Sequence, residues 1–335
     1  MRALIFVIAV ILLIICCYSI YESTCSKIAA EKDVLTWYEP SLAKLRMKVE
    51  KLCTALATHQ SSAVVQQAFC ESRLAYKNIE VFAEYFSPYM VQLINGGGND
   101  TTKGNNRQAF QALERLLYPS LQVADTQAAY IEARRLVTAV NSLSLVASKP
   151  LPTDAQLFDA MRLELVRVMA LSLSGFDVPE SGQQLKEAAA ALDGVTSVWN
   201  LYEDRVRIYN PALVKYTADL LTAAHMQLEQ GTPESFDRQA FISEYINHLS
   251  VNLKLSREAL SIPYDSQQYI LDPAASNVFA RNAVHPLYVS AEAQSDSVGS
   301  HDPLYNINGQ QFRASYIYTL LQQNGALNAV AEGTK

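Results

Sequence analysis

The sequence predicts an all-α protein in which two antiparallel helical bundles lie side by side, between an N-terminal membrane anchor and an irregular C-terminal extension. From Asp33 onward apolar residues recur every three or four positions, and no sustained alternation typical of strands is present. The chain has 335 residues with 50% hydrophobic content, which is enough for a large core. Two prolines in "SKPLPTD", residues 148–154, mark the expected boundary between the bundles.

Residues 1–24 are predicted to target the chain to a membrane. Arg2 precedes an uncharged run from Ala3 to Tyr21, which would span roughly 28 Å as a helix, close to the thickness of a bilayer core. We favour a retained anchor. Lipidation at Cys16 is the second interpretation. Leu13 fits a lipoprotein signal, although Ile15 is bulky for the position before the modified cysteine. Cleavage of a signal peptide is the third interpretation. Each of the three predicts a periplasmic protein.

The first bundle is expected within residues 25–150. Helices are predicted from Asp33 to Thr58 with a bend near Pro40, from Ser62 to about Leu93, and at about 106–117 and 124–147. The glycine- and asparagine-rich stretch "NGGGNDTTKGNN" breaks the helical pattern between the second and third of them.

Cys53 and Cys70 flank the turn between the first two helices at equal distances, so an antiparallel pair would bring them face to face. An oxidising compartment favours a disulfide there, and two free buried thiols are the alternative.

The second bundle is expected within residues 151–262. Thr153 and Gln156 form a capping box that begins a helix ending at Gly175. Further helices are predicted at about 180–209, 211–229 and 236–260, with stops at Pro211 and Gly231. Residues 263–335 form the extension, in which only a short helix near 309–322 is expected.

The stretch "RLAYKNIEVFAEYFSP", residues 73–88, places four charged residues along one strip of the second helix: Arg73, Lys77, Glu80 and Glu84. A solvated helix face is the simplest interpretation. Aromatic and apolar residues flank the strip so closely, however, that we expect an enclosed ion-pair network, with Gln122 and Asp125 nearby and Arg162 as a further cation.

These residues resemble the imelysin-like helical region that precedes the haem domains of some bacterial di-haem cytochrome c peroxidases. The segments "PSLQV" at 119–123, "LFDAMRLELVRVMALSLSGFDVP" at 157–179 and "FDRQAFISEYINHL" at 236–249 extend the similarity in the same order, over about residues 30 to 285. The matching positions of the first segment are Arg73, Tyr76, Lys77, Ile79, Glu80, Glu84, Tyr85 and Pro88.

The chain departs from this family pattern in two places. No C-x-x-C-H motif is present, so neither covalent haem nor any other cofactor is expected. The wider imelysin family has a G-x-H-x-x-E motif, whose place here reads Ser120, Gln122 and Asp125, without the imidazole that transition metals prefer. Glu80, Glu84 and Asp125 remain weak candidates for a carboxylate metal site.

The resemblance and these departures favour a non-enzymatic, envelope-anchored helical bundle that binds or scaffolds a protein partner. The resemblance implies that this partner is a separate c-type cytochrome or peroxidase. An imelysin-like iron-binding or uptake protein with carboxylate ligands is the alternative, and a peptidase ranks last. The formal charge of −6 provides no basic surface for phosphates, so no nucleic-acid partner is expected.

Overall fold

The structure is a computed structural model that describes residues 33–96, 109–143, 151–175, 177–264, 272, 274 and 275, together with the backbone of two short strands. The predicted anchor, including Cys16, lies outside the described residues. None of the helices in the described ranges is both long enough and apolar enough to cross a membrane.

The described residues of the first half of the chain form five α-helices. They are α1 over 33–57, α2 over Ser62–Phe86, α3 over Pro88–Asn95, α4 over Ala109–Leu117 and α5 over Thr126–Leu143, the last preceded by a 3-10 turn over Val123–Asp125. Lys48 of α1 pairs with Glu71 of α2 at 2.9 Å. This contact joins residues at similar distances from the intervening turn, so the two helices run antiparallel.

In the second half, six α-helices lie within the ranges that the structure describes. They are α6 over Asp154–Arg167, α7 over Gln184–Asn200, α8 over Glu203–Tyr209, α9 over Pro211–Gln230, α10 over Arg238–Phe241 and α11 over Asn247–Ala259. A π-helical segment over Val168–Leu173 extends α6, and another over Ile242–Ile246 joins α10 to α11. The predicted all-α class is confirmed for these two halves.

Several predicted helix ends are confirmed by their local contacts. The hydroxyl of Thr153 accepts a hydrogen bond from the backbone of Gln156, whose own side chain accepts one from the Thr153 backbone. Gly175, beyond the extended α6, has a positive φ of 76° that suits glycine. Asn210 caps α9 by accepting a hydrogen bond from the backbone of Leu213.

Two predicted helices are divided in the structure. The helix expected to run to Leu93 stops at Phe86, because Ser87 precedes a proline and adopts φ −143° and ψ 48°, outside the helical region. The helix expected over 180–209 is interrupted by a turn at Leu201 and Tyr202. Tyr202 is buried there, and its hydroxyl donates to Asp154 at 2.9 Å, a long-range contact that periodicity does not reveal.

The C-terminal extension contains a β-hairpin where a helix was predicted. Strands β1 over Leu304–Ile307 and β2 over Gln310–Arg313 pair antiparallel. The expected helix at 309–322 is therefore wrong at its start, and residues 314–322 lie outside the described ranges. The overlooked signal is Asn308-Gly309, the dipeptide most typical of a two-residue hairpin connection.

The buried apolar residues of the two halves form one continuous cluster. Within it, α2 and α7 pack against each other over an extensive contact. At this contact Gly194 of α7 lies so close to α2 that a Cβ atom would overlap the carbonyl oxygen of Asn78. The close approach brings the charged strip of α2 against the second half of the chain.

Candidate functional site

The strip on α2 points into the protein interior, which confirms the expected enclosure. Arg73, Lys77 and Glu80 are each no more than 1% exposed. Charged side chains from the second half of the chain face them. The buried ion cluster consists of Arg73, Lys77, Glu80 and Glu84 of α2, Glu164 and Arg167 of α6, Asp177 between α6 and α7, and Glu187 of α7.

Arg73 of α2 forms hydrogen bonds with residues of both α3 and α7. Its Nε donates to Oε1 of Glu187 at 2.5 Å and its Nη2 donates to Oε2 at 2.6 Å, the two-point pairing that suits a guanidinium and a carboxylate. Its Nη1 donates to Oδ1 of Asn95, the last residue of α3, at 2.8 Å. The guanidinium also lies 5.3 Å from the centre of the Phe110 ring. The Arg73 charge is thus compensated from several directions.

Lys77 occupies the centre of the cluster. Its Nζ donates to both carboxylate oxygens of Glu80 at 2.8 Å and to Oδ2 of Asp177 at 2.5 Å. Burial raises the pKa of Asp177, but Lys77 and Arg73 outweigh that effect and leave the pKa below its usual range. Asp177 is therefore ionised and bridges the two cations of α2.

The other end of the cluster is built around Arg167. Its Nη1 donates to Oε2 of Glu164 at 3.3 Å, and its Nε lies 3.7 Å from Oε2 of Glu84. The hydroxyl of Tyr76 donates to Oε1 of Glu84 at 3.1 Å. Glu164 is fully buried, and none of the hydrogen-bond donors in the described part of the chain reaches its Oε1. Glu84 keeps 19% of its side chain exposed, so the cluster meets solvent at this residue.

The carboxylates at this end are difficult to ionise. Burial raises the pKa of Glu84 to about 7, with Arg167 opposing the rise and Glu80 adding to it. Burial also raises the pKa of Glu164 well above its usual range, and the nearby charge of Glu80 adds to that rise. The ion cluster holds five carboxyl groups against three cations, which is consistent with incomplete ionisation.

Gln122 and Asp125 are not near the buried ion cluster, so that prediction was wrong. The backbone of Leu121 donates to the hydroxyl of Ser62, the first residue of α2, at 2.9 Å. Arg73 comes eleven residues later, roughly 16 Å along the helix. The side chain of Gln122 is exposed and donates to Ser120.

Arg162 also lies elsewhere. It is buried, and its guanidinium donates to the carbonyl oxygen of Ala275 at 3.0 Å and to Ser250 Oγ at 3.5 Å. Arg167 supplies the cation that was expected from Arg162. The two arginines are five residues apart on α6, so they project in directions that differ by roughly 140°.

Cys53 and Cys70 are free thiols, which is the alternative to the disulfide. The sulfur of Cys70 lies 3.2 Å from the hydroxyl of Tyr118 at the end of α4. Burial raises the pKa of both thiols. Neither is activated as a nucleophile.

The weak metal candidates are not assembled into a site. Lys77 holds both oxygens of Glu80, Arg167 approaches Glu84, and Asp125 lies near the opposite end of α2. Within the described part of the chain, no three His, Cys, Asp or Glu side chains are grouped so that they could hold a metal ion.

The surface carries a cleft of about 590 Å³ between α3 and α5. Met90, Leu93 and Ile131 provide apolar walls, and Ile131 is 43% exposed. Arg134 and Arg135 lie on the rim. Arg135 is 68% exposed and pairs locally with Glu132, whereas Arg134 contacts the hydroxyl of Tyr130 at 3.3 Å. The cleft combines an apolar floor with positive charge.

Half of the residues in the buried ion cluster were not predicted from the sequence. Glu164 and Arg167 interrupt the most apolar stretch of α6, and such charges on a buried helix are a detectable signal. Glu187 similarly precedes a run of alanines in α7. Asp177 gave no signal, because it lies outside a helix and its partner Lys77 is 100 residues away.

No protein-family model matches the chain, and no curated protein is significantly similar to it.

Proposed function

We propose that this protein is a non-enzymatic, envelope-anchored scaffold of two joined helical bundles that binds a protein partner in the cleft between α3 and α5. The cleft is the observation that carries the proposal, because it combines partly exposed apolar side chains with cationic groups on a chain whose formal charge is −6. The charged residues of the family-like strip face the interior instead and pair with one another. Their role in this proposal is to hold the halves together.

The cleft chemistry defines the partner segment. An amphipathic helix would lay apolar side chains against Met90, Leu93 and Ile131, as helices do in hydrophobic grooves. An acidic residue on that helix would approach Arg134 and Arg135, since opposite charges guide and orient protein association. We therefore assign the cleft to an acidic amphipathic helix of another protein.

The resemblance in residues 73–88 favours a separate c-type cytochrome or peroxidase as that partner. Residues 1–24, as a retained helix or a lipid-modified segment, would hold the scaffold at the periplasmic face of the membrane. Both statements rest on sequence patterns, and each can be tested independently of the cleft.

The test is site-specific photo-crosslinking from position 131 in native membranes, followed by mass spectrometry of the captured peptide. We expect an acidic, apolar peptide, and about a tenfold lower yield when Arg135→Glu reverses the charge of the rim. Arg207→Glu on α8 is the matched control, because both arginines are exposed and pair with a glutamate of their own helix. Equal yields from the two variants would contradict the assignment of the cleft.

The iron-binding alternative makes a different prediction. Purified protein would then carry a stoichiometric metal ion, bound by carboxylates, that is lost in Glu80→Gln and Glu84→Gln. Elemental analysis of the full chain decides between the two functions, and such an ion would displace the scaffold proposal. A peptidase is the least supported function, because no described cysteine is activated and no metal-binding group is formed within the described ranges.

A further inference from the structure

The junction of α2 and α6 contains more carboxyl groups than its cations can neutralise. Arg167 is the cation that faces Glu84 and Glu164, whereas Lys77 is already shared by Glu80 and Asp177. If all five carboxyl groups of the ion cluster were ionised, two negative charges would remain uncompensated in the interior. This state is strongly disfavoured, because each uncompensated charge has lost its solvation by water without gaining a partner.

Glu164 is the carboxyl group whose surroundings most favour a bound proton. The residue is fully buried, one carboxyl oxygen accepts from Arg167, and no hydrogen-bond donor among the described residues reaches the other. The carboxyl group of Glu80 is a further close neighbour of Glu164. An ionised oxygen without a partner is costly in such surroundings, whereas a protonated carboxyl group is neutral. The surrounding residues therefore favour the acid form of this side chain.

We propose that Glu84 and Glu164 form a buried proton-binding site at the α2–α6 junction, in which Glu164 keeps its proton and Glu84 exchanges a proton with solvent. Glu84 is suited to exchange because it is the partly exposed member of the pair. The other ionisable groups that act on the two carboxyls are Tyr76, Lys77 and Glu80 on α2 and Arg167 on α6. Tyr76 donates to Glu84 and can do so in either state of that carboxyl group.

The site makes stability depend on pH with a definite sign. Glutamate in an unfolded chain has a pKa of about 4.3, whereas burial raises the pKa of Glu84 to about 7 and that of Glu164 higher. Above pH 4.3 these two groups therefore bind more protons in the folded chain than in the unfolded chain. The stabilising contribution of Glu84 is complete below that pH and is lost as the pH rises through 7.

The direct test is infrared spectroscopy of the full chain at pH 7, in which a protonated carboxyl group has its own carbonyl stretch. We expect such a band in Glu84→Gln, in which position 84 cannot contribute to it. The band should be lost when Glu164→Gln is added and kept when Glu50→Gln, at an exposed position of α1, is added instead. Absence of the band in Glu84→Gln, or its persistence after Glu164→Gln is added, would overturn the assignment of the proton to Glu164.

Proton counting provides the second measurement, and its wild-type arm needs no variant. The wild type should take up protons on folding at pH 6, and Glu84→Gln should take up about one fewer. The melting temperature of the wild type should fall between pH 5 and pH 8, with a smaller fall in Glu84→Gln. Absence of proton uptake by the wild type would refute the proposal. A melting temperature that depends on the concentration of Na⁺, K⁺ or Mg²⁺ at fixed ionic strength would also refute it, because a bound cation would then take the place of the proton.

Discussion

At the scale of single residues, the arrangement of Arg73 explains how charges persist in this interior. Its guanidinium donates hydrogen bonds to both carboxylate oxygens of Glu187 and to the amide oxygen of Asn95, so most of its donors are satisfied. A buried ion pair is not in itself a large source of stability, because removing both ions from water costs nearly as much as the pair returns. Removing only one partner of such a pair is costly, however, because the other partner stays charged and uncompensated in the interior.

We expect Glu187→Ala to lower the free energy of unfolding by about 3–5 kcal/mol, because it leaves Arg73 without its main carboxylate partner in the interior. Glu71→Ala is the control, since Glu71 pairs with Lys48 where both side chains are about a quarter exposed. That change should cost only about 0–1 kcal/mol. Urea denaturation of both variants measures the difference.

A similar, small cost for both substitutions would contradict this view of Arg73. The interior would then solvate the guanidinium without Glu187, and the buried ion cluster would not hold α2 to α7. A third variant, Arg73→Met with Glu187→Leu, separates the two explanations. If stranded charge causes the loss, this apolar pair should recover part of the stability that Glu187→Ala loses.

At the scale of elements, short-range chemistry sets most helix ends. Ser87 and Pro88 divide α2 from α3, Asn210 and Pro211 begin α9, and the capping box begins α6. Each signal acts over four residues or fewer, through the lack of a proline N–H or through a side chain that caps the backbone. The turn at Tyr202 is different, because the hydroxyl that fixes it is bonded to Asp154.

The caps of α6 and α2 provide a matched pair of substitutions. Thr153→Ala removes a side chain that accepts a hydrogen bond from the Gln156 backbone, and we expect it to lower the free energy of unfolding by about 1 kcal/mol. Ser61 occupies the N-cap of α2 without a side-chain cap hydrogen bond. Ser61→Ala should therefore leave stability nearly unchanged. Equal losses in thermal melts of the two variants would show that the capping hydrogen bond contributes nothing measurable.

At the scale of the whole molecule, the two predicted bundles share one hydrophobic core. The contact of α2 with α7 crosses the proline-rich boundary at 148–154, and so do the pairs that Glu187 and Asp177 make with α2. A core that continues across a boundary couples the folding of both sides. We therefore expect residues 33–264 to unfold as one cooperative unit.

The two tryptophans test this cooperativity, because Trp37 lies on α1 in the first half and Trp199 is buried in α7 in the second. In Trp199→Phe the fluorescence reports only the first half, and in Trp37→Phe only the second. Within each variant, we expect the fluorescence and circular dichroism transitions to have coincident midpoints. Midpoints that differ between the two signals would show that the bundles unfold independently.

Local sequence patterns are sufficient to predict the helical class and most helix ends. Apolar periodicity extends along whole helices, and caps such as Thr153 with Gln156 act between neighbours in the chain. The sequence also predicted that Arg73, Lys77 and Glu80 would be enclosed, because their apolar neighbours on α2 left no polar face. These properties depend on local patterns that can be read without knowledge of the fold.

The partners of those charges, in contrast, depend on how the helices pack together. Lys77 pairs with Asp177 and Arg73 with Glu187, across separations of 100 and 114 residues, and no local pattern encodes such distances. The choice of Arg167 over Arg162 depends on how α6 is rotated against α2, which core packing sets. The proton-binding site has the same origin, because an excess of carboxyl groups exists only once the helices that carry them are packed together.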